Sequence, residues 1–260
     1  MGPSESQSSR FGKMSGSWKR APMDYQYALV IPALNEAETI GILLQQIPRH
    51  LFSQIIVVDN GSQDRTGEIA LAAGAEVVRE PRRGYGQACL SGLERLQPAI
   101  NAVVFMDADL SDDPQDLERL IRHFDQGHWH MVIGSRVLGA AERGSLTPLQ
   151  RFGNWLTTRL IALFWGMHFT DLGPMRVLRR DSLESLKLSD HTFGWTVEMQ
   201  VKAAQLGLKT CEIPVRYRCR RQGRSKISGS IVGSIRAGVK ILWTVYRCWR
   251  SPLISTAPDP

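Results

Sequence analysis

Four short apolar runs, each breaking into a polar cluster, constrain this chain more than any other feature. YALVI (27–31) leads to Asn35 and Glu36, and QIIVV (54–58) to Asp59. The run AVVFM (102–106) leads to Asp107 and Asp109, and MVIG (131–134) to Arg136. Continuous apolar runs bounded by polar signals read as strands buried on both faces of a parallel sheet. A further run, AEVVR (75–79), has the same character. Helix signals lie between them. Asn35 is placed to cap a helix over 36–47 that Pro48 ends. Asp64 or Thr66 starts another, stopped by Gly74. RRGYG (82–86) opens a third, reaching about Leu96, and Pro114 sits in the first turn of a fourth ending near Gly127. This alternation predicts an α/β fold with a mainly parallel central sheet flanked by helices. Ligands of such sheets bind beyond the carboxyl ends of the strands. Four polar clusters at equivalent strand ends therefore mark a binding crevice.

Within the crevice, MDADLSDDP (106–114) is the most informative stretch. In an extended segment residues i and i+2 point the same way, so Asp107 and Asp109 can converge. Two hard oxygen ligands suit Mg²⁺ or Mn²⁺, cations that commonly hold phosphates as well. D-x-D alone also fits an acidic turn; its place beyond a strand end, beside Glu36, Asp59 and Arg136, favours a metal–diphosphate site. Asp112 and Asp113 read as charges at a helix N-terminus, favourable to its dipole.

The second half has a different texture. LQRFGNWLTTRLIALFWGM (149–167) is either a buried core helix or a helix at a membrane interface that inserts Trp155, Phe164 and Trp165. TDLGPMR (170–176) is a loop, FGW (193–195) opens a helix carrying Glu198, and TCEIPVRYR (210–218) is a strand in which Pro214 suggests an edge. CRRQGRSK (219–226) is a basic turn. Residues 227–250 then form an amphipathic helix with Ile231, Ile235, Val239, Leu242 and Tyr246 at helical spacing, suited to a membrane surface, to packing on the domain or to a homo-oligomer contact. The first 24 residues are polar and basic and are expected to be disordered. The expected division is a basic tail (1–24), a catalytic domain (25–226) and a C-terminal helix and tail (227–260).

The formal charge of +7 favours anionic partners, nucleotide diphosphates or lipid headgroups among them. No stacking platform or groove-reading motif points to specific nucleic-acid binding. No run of 18 apolar residues and no apolar core of signal-peptide length is present, and the four cysteines lack C-x-x-C spacing. A cytoplasmic chain with reduced thiols is expected, with peripheral contact at the cytoplasmic face of the membrane.

Several stretches together resemble one family. PALNE, VVDNGSQDRT, GYGQA and MDADLSDDP are similar to motifs of the family 2 glycosyltransferases of the GT-A fold. TDLGPMR, FGWTVEMQ and GRSK resemble the branch of dolichyl- or polyprenyl-phosphate sugar transferases, the dolichol-phosphate mannose synthase-like enzymes. The resemblance covers roughly residues 27–241. It implies transfer of a sugar from a nucleotide-diphosphate donor, with inversion at the anomeric carbon. It also implies that Pro32, Leu34, Glu36 and Asp59 hold the nucleoside, and that Gly84 and Gly86 let backbone approach the nucleotide. Asp107 and Asp109 would position a divalent cation on the diphosphate. Many relatives carry glutamine where Ser111 stands, so the third metal ligand is open. Arg136, Arg176, Arg221, Ser225 and Lys226 are candidates for holding donor and acceptor phosphates.

The acceptor decides whether a base is required. A polyprenyl phosphate is already an anionic nucleophile, whereas a sugar hydroxyl needs a general base, for which Asp171 and Glu198 are the candidates. The expected activity is sugar transfer to a polyprenyl phosphate. The alternatives are a soluble or glycan acceptor, a nucleotidyltransferase, and a non-catalytic nucleotide- or membrane-binding module.

Overall fold

The computed structural model describes residues 25–220 and 231–251, with side chains of the last helix from residue 237 onward. The basic tail and the 221–230 stretch, with Arg221, Ser225 and Lys226, lie outside the described residues.

Strands β1 (Tyr27–Ala33), β2 (Gln54–Asp59), β3 (Glu76–Arg79) and β4 (Ala102–Phe105) pair in parallel. Helices α1 (Ile40–Gln46), α2 (Thr66–Ala72) and α3 (Tyr85–Leu93) connect them, and α4 (Asp116–Gly127) follows β4. Then come β5 (Met131–Ala141), α5 (Pro148–Trp165), β6 (Arg176–Arg179), α6 (Arg180–Ser185), α7 (Trp195–Gln205), β7 (Thr210–Tyr217) and α8 (Ile231–Arg250). The sheet runs β3-β2-β1-β4-β6-β5-β7.

Strand alternation divides the core into two layers. Leu29, Ile31, Val57 and Val104 pack against Leu43, Leu44, Leu120 and Phe124 on one side. Ala28, Val30, Ile56, Val103 and Phe105 meet Ala88, Ile161, Trp195, Met199 and Val245 on the other. Burying both faces explains why the interiors of these strands are continuously apolar and confines polar residues to their ends.

The structure departs from expectation at four places. First, α1 begins at Ile40, not at residue 36. Asn35 is not its cap: it has a left-handed φ of 51°, and its Oδ1 accepts a hydrogen bond from Gln63 N at 2.7 Å, tying together the loops after β1 and β2. Second, the 170–176 loop ends in β6, a strand inserted antiparallel between β4 and β5. Third, β5 continues past Gly134 through an irregularity between Ser135 and Ala140 and pairs along β7, whose edge position accommodates Pro214. Fourth, α4 starts at Asp116, so Asp112 and Asp113 are not its first-turn charges. Asp112 instead bridges to Tyr217 through its backbone, and Asp113 binds Arg216 and Arg218.

Candidate active site

The carboxyl ends of β1, β2 and β4 bring Glu36, Asp59, Asp107 and Asp109 to one edge of the sheet. The turn after β4 is tight. Leu110 takes a φ of 62°, and Asp109 Oδ1 accepts from Ser111 N at 3.0 Å. A bulky residue in the left-handed region costs energy, and such strain gathers at functional sites. Asp107 Oδ1 accepts from the Tyr85 hydroxyl at 3.0 Å, from the first residue of α3. Burial, and then the charge of Asp109, hold the Asp107 carboxyl up at about 7.

Asp112 adds a third carboxyl to this region. It is 1% exposed, and neither oxygen has a hydrogen-bond partner among the described residues. Burial, followed by the charges of Asp107 and Asp109, drives it far above the carboxylate range. A polar group sealed without a partner is uncommon, and the two nearby aspartates oppose its ionisation, so the three carboxyls do not all carry charge at neutral pH.

Cations border the cluster. The Arg220 guanidinium pairs with Glu36 and stands 3.7 Å from Asp109. Arg218 and Arg216, two and four residues earlier, meet Asp113 and Asp116 on the same side of the continuing β7 chain. Alternation turns Tyr217 the other way, where its ring lies 5.0 Å below the Arg136 guanidinium. A cavity of about 630 Å³ opens beside this strip, lined by residues 140–142 and 216–220.

Asp171 and Arg136 form one unit. Nε and Nη2 of Arg136 each donate to an Asp171 oxygen at 2.7 Å, and the Arg136 and Leu172 amides donate at 2.8 Å. Burial opposes the arginine's charge, but this fork holds it ionised. Asp171 is therefore a fully engaged acceptor. Glu198 is likewise occupied. Its oxygens accept from the Ser189 and Asp190 amides at 3.0 and 2.7 Å and meet Lys202 at 2.9 Å and Arg247 at 3.2 Å. Burial pushes it upward, yet these donors keep it below the usual value. Arg176 is 0% exposed and clamps backbone carbonyls of Leu172, Gly173 and Thr196. Burial draws its pKa down to about 10, and its side chain faces no solvent in this conformation.

The remaining expected nucleoside contacts are mixed. Pro32 and Leu34 are half-buried at the end of β1, and Asp59 Oδ1 accepts from Ser62 N at 2.9 Å. Gly84 and Gly86 have a reason within the protein: a Cβ on either would strike the backbone carbonyl of His191 or Asp190. Sequence reasoning missed the contact of Tyr85 with Asp107 and the burial of Asp112, because both depend on residues brought in by distant elements. The arginines at 216, 218 and 220 were visible as an i, i+2, i+4 pattern in VRYRCRR.

The residues present suit a hard cation. Asp107 and Asp109 offer oxygen ligands in a cluster where carboxylates repel one another. Among the described residues no three His, Cys, Asp or Glu side chains form a closed metal site. An open pair of carboxylates, completed by diphosphate and water, is how Mg²⁺-type cations are commonly held.

An α/β sheet with acids at the carboxyl ends of β1, β2 and β4, bordered by arginines, defines a protein built to hold an anionic, phosphate-bearing ligand. The glycosyl transferase family 2 signature matches residues 28–187. An uncharacterized glycosyltransferase of Mycobacterium tuberculosis is 38% identical over 210 residues, covering 80% of this chain and 93% of the relative. The undecaprenyl-phosphate mannosyltransferase of Micrococcus luteus is 31% identical over 219 residues, covering 78% of this chain and 88% of the relative. Among solved structures, glucosyl-3-phosphoglycerate synthase from M. tuberculosis, in complex with Mn²⁺, UDP-glucose and phosphoglyceric acid, superposes with a TM-score of 0.70. It is 22% identical and covers 88% of this chain and 81% of that one. The chain belongs to glycosyl transferase family 2: it is a glycosyltransferase, and its fold is the expected GT-A fold.

Proposed function

We propose that the protein transfers a sugar from a nucleoside-diphosphate sugar to a polyprenyl phosphate. The observation that carries this reading is the engagement of both candidate bases. Asp171 is taken up by Arg136, and Glu198 by two amides and two cations. Asp112 is sealed from solvent. Engagement of both candidate bases among the described residues suits an acceptor that arrives already ionised, and a phosphate does. The undecaprenyl-phosphate mannosyltransferase of M. luteus and the dolichyl-phosphate hexose transferase of Haloferax volcanii, 31% and 32% identical to this chain, support the same acceptor class.

Asp107 and Asp109 would hold Mg²⁺ or Mn²⁺ against the donor diphosphate. A divalent cation there supplies Lewis-acid stabilisation of the departing nucleoside diphosphate. Tyr85 orients Asp107 through its hydroxyl. Glu36 and Asp59, at the ends of β1 and β2, are placed to accept hydrogen bonds from the nucleoside. Arg220, already between Glu36 and Asp109, is placed to turn onto phosphate when the donor enters. The acceptor phosphate oxygen attacks the anomeric carbon, and the bond to the diphosphate oxygen breaks on the opposite face.

The test supplies several labelled nucleotide-sugars with Mn²⁺, with and without a polyprenyl phosphate. The expected result is labelled lipid together with nucleoside diphosphate in equal amount. Label on a water-soluble product in the absence of lipid would assign a hydroxyl acceptor instead. Release of pyrophosphate would mark a nucleotidyltransferase.

A further inference from the structure

Helix α8 is packed the wrong way round for a globular protein. An amphipathic helix ordinarily turns its apolar stripe to the core and its charges to water. Here the charged side is tied down. Lys240 Nζ lies 2.9 Å from Asp190, and Arg247 bridges Asp190 at 3.6 Å and Glu198 at 3.2 Å; both acids are buried. Ala237, Thr244, Val245 and Cys248 complete the inner face. Val239, Leu242, Trp243, Tyr246 and Trp249 are left outside, with Trp243 55% and Trp249 51% exposed. Lateral movement cannot bury them without breaking the ion pairs beneath.

The neighbouring α5 does the same. Phe152, Trp155, Leu163 and Phe164 are exposed, and the Phe164 ring lies 5.9 Å from that of Trp249, so the two outer faces are joined. Scattered surface apolar residues need no explanation, but a contiguous aromatic face on two packed helices marks an interaction surface. Its occupant follows from charge. Neither helix contains an aspartate or glutamate. Exposed Arg159 stands one turn after Trp155, and exposed Arg250 one turn after Tyr246, so each aromatic stripe carries an arginine. A second copy of the chain meeting this face would set arginine against arginine with no acid from either helix between them. An anionic headgroup layer accepts both the rings and the charges. No helix of the described residues is long and apolar enough to cross a membrane, so the helices would lie in its interface.

We infer that the joined outer faces of α5 and α8 are a docking surface for an anionic lipid bilayer. The aromatic rings sit at headgroup depth, and Arg159 and Arg250 lie against lipid phosphates. This surface gives a lipid-borne acceptor a place to arrive, but it is carried by the two helices and not by the acceptor assignment.

The experiment is co-sedimentation of the full chain with phosphatidylcholine vesicles, with and without phosphatidylglycerol, free of any polyprenyl phosphate. Binding, not transfer, is read, so failure here leaves the acceptor reading standing, and the converse holds. The wild-type chain is expected to bind the anionic vesicles, less so at high salt, with a blue-shifted tryptophan emission. Trp243→Glu with Trp249→Glu should lower binding at least roughly tenfold. Leu71→Glu, at a 65% exposed apolar site on α2, should leave it unchanged. Wild-type-like binding by the double variant overturns the proposal. So does a dimer that the double variant abolishes while the wild type ignores vesicles. Should the double variant fail to fold, quenching of wild-type tryptophan by brominated lipid decides, and its absence overturns the proposal.

Discussion

Replacing Asp109 by alanine removes one of two carboxylates at the end of β4 and leaves the strand untouched. Mn²⁺ affinity, read by paramagnetic relaxation, and sugar transfer should each fall at least about a hundredfold. The melting temperature should change little, because relief of the repulsion on Asp107 is offset by loss of the Asp109 contacts with Ser111 N and Arg220. Asp171 makes the opposite prediction. Its fork with Arg136 is buried, so Asp171→Asn or Arg136→Met alone should cost about 3 kcal/mol in a denaturant titration. The double variant should cost less than the sum, with a coupling of about 2 kcal/mol. Single-residue positions were legible where topology fixes them. A polar residue just past an apolar strand of a parallel sheet has one edge to reach, which is why Glu36, Asp59, Asp107 and Asp109 could be picked from spelling. Glu198 and Arg176 could not be decided in that way. A carboxylate anchoring a loop and a carboxylate taking a proton are the same letter, and only the Ser189 and Asp190 amides around Glu198 distinguish them.

At the scale of elements, the first turn of α3 deserves a test because three things meet in it. Gly84 N donates to Asn60 Oδ1 at 2.7 Å, Gln87 N donates to the His191 carbonyl at 2.9 Å, and Tyr85 reaches Asp107. Gly86→Ala would drive a methyl into the Asp190 carbonyl and move the turn. A loss of about 2 kcal/mol is expected in thermal melts, together with weaker Mn²⁺ binding as Tyr85 is displaced. The same substitution at Gly153, where a Cβ meets nothing within 4 Å, should be neutral or stabilising and serves as the control. Most elements were legible through their apolar runs and breakers. β6 was not, because RVLR has arginine at both ends and no apolar run. Its pairing with β4 and β5 supplies what local pattern lacks. For α8 the periodicity was readable but its direction was not. Helical spacing locates an apolar stripe without saying that buried acids on α7 and in the loop before it would capture the basic stripe instead.

At the scale of the molecule, Asp190 joins the outermost helix to the crevice. Its carboxylate receives Lys240, Arg247 and the Thr244 hydroxyl from α8, and the Thr192 amide and hydroxyl from its own loop. That loop in turn receives Gly86 N and Gln87 N of α3 through the Thr192 and His191 carbonyls. Asp190→Asn keeps the volume and removes the charge, leaving two cations over a buried amide. A loss of about 2 kcal/mol is expected at neutral pH, moderated because Lys240 and Arg247 are 34% and 38% exposed. The pH dependence identifies the cause. Burial raises the Asp190 pKa, but Lys240 and Thr192 outweigh it and hold it below the ordinary value of 3.8. A carboxyl depressed on folding contributes stability that is complete above its unfolded pKa and disappears as pH falls through the folded one. The gap between wild type and Asp190→Asn should therefore be constant from about pH 7 to pH 5 and close below about pH 3.8 in urea titrations. A gap that persists in acid would assign the loss to packing rather than to the ion pairs. Amide exchange should report its reach: in the variant, protection should fall in α8 and also at Gly86 and Gln87, next to the tyrosine that holds Asp107.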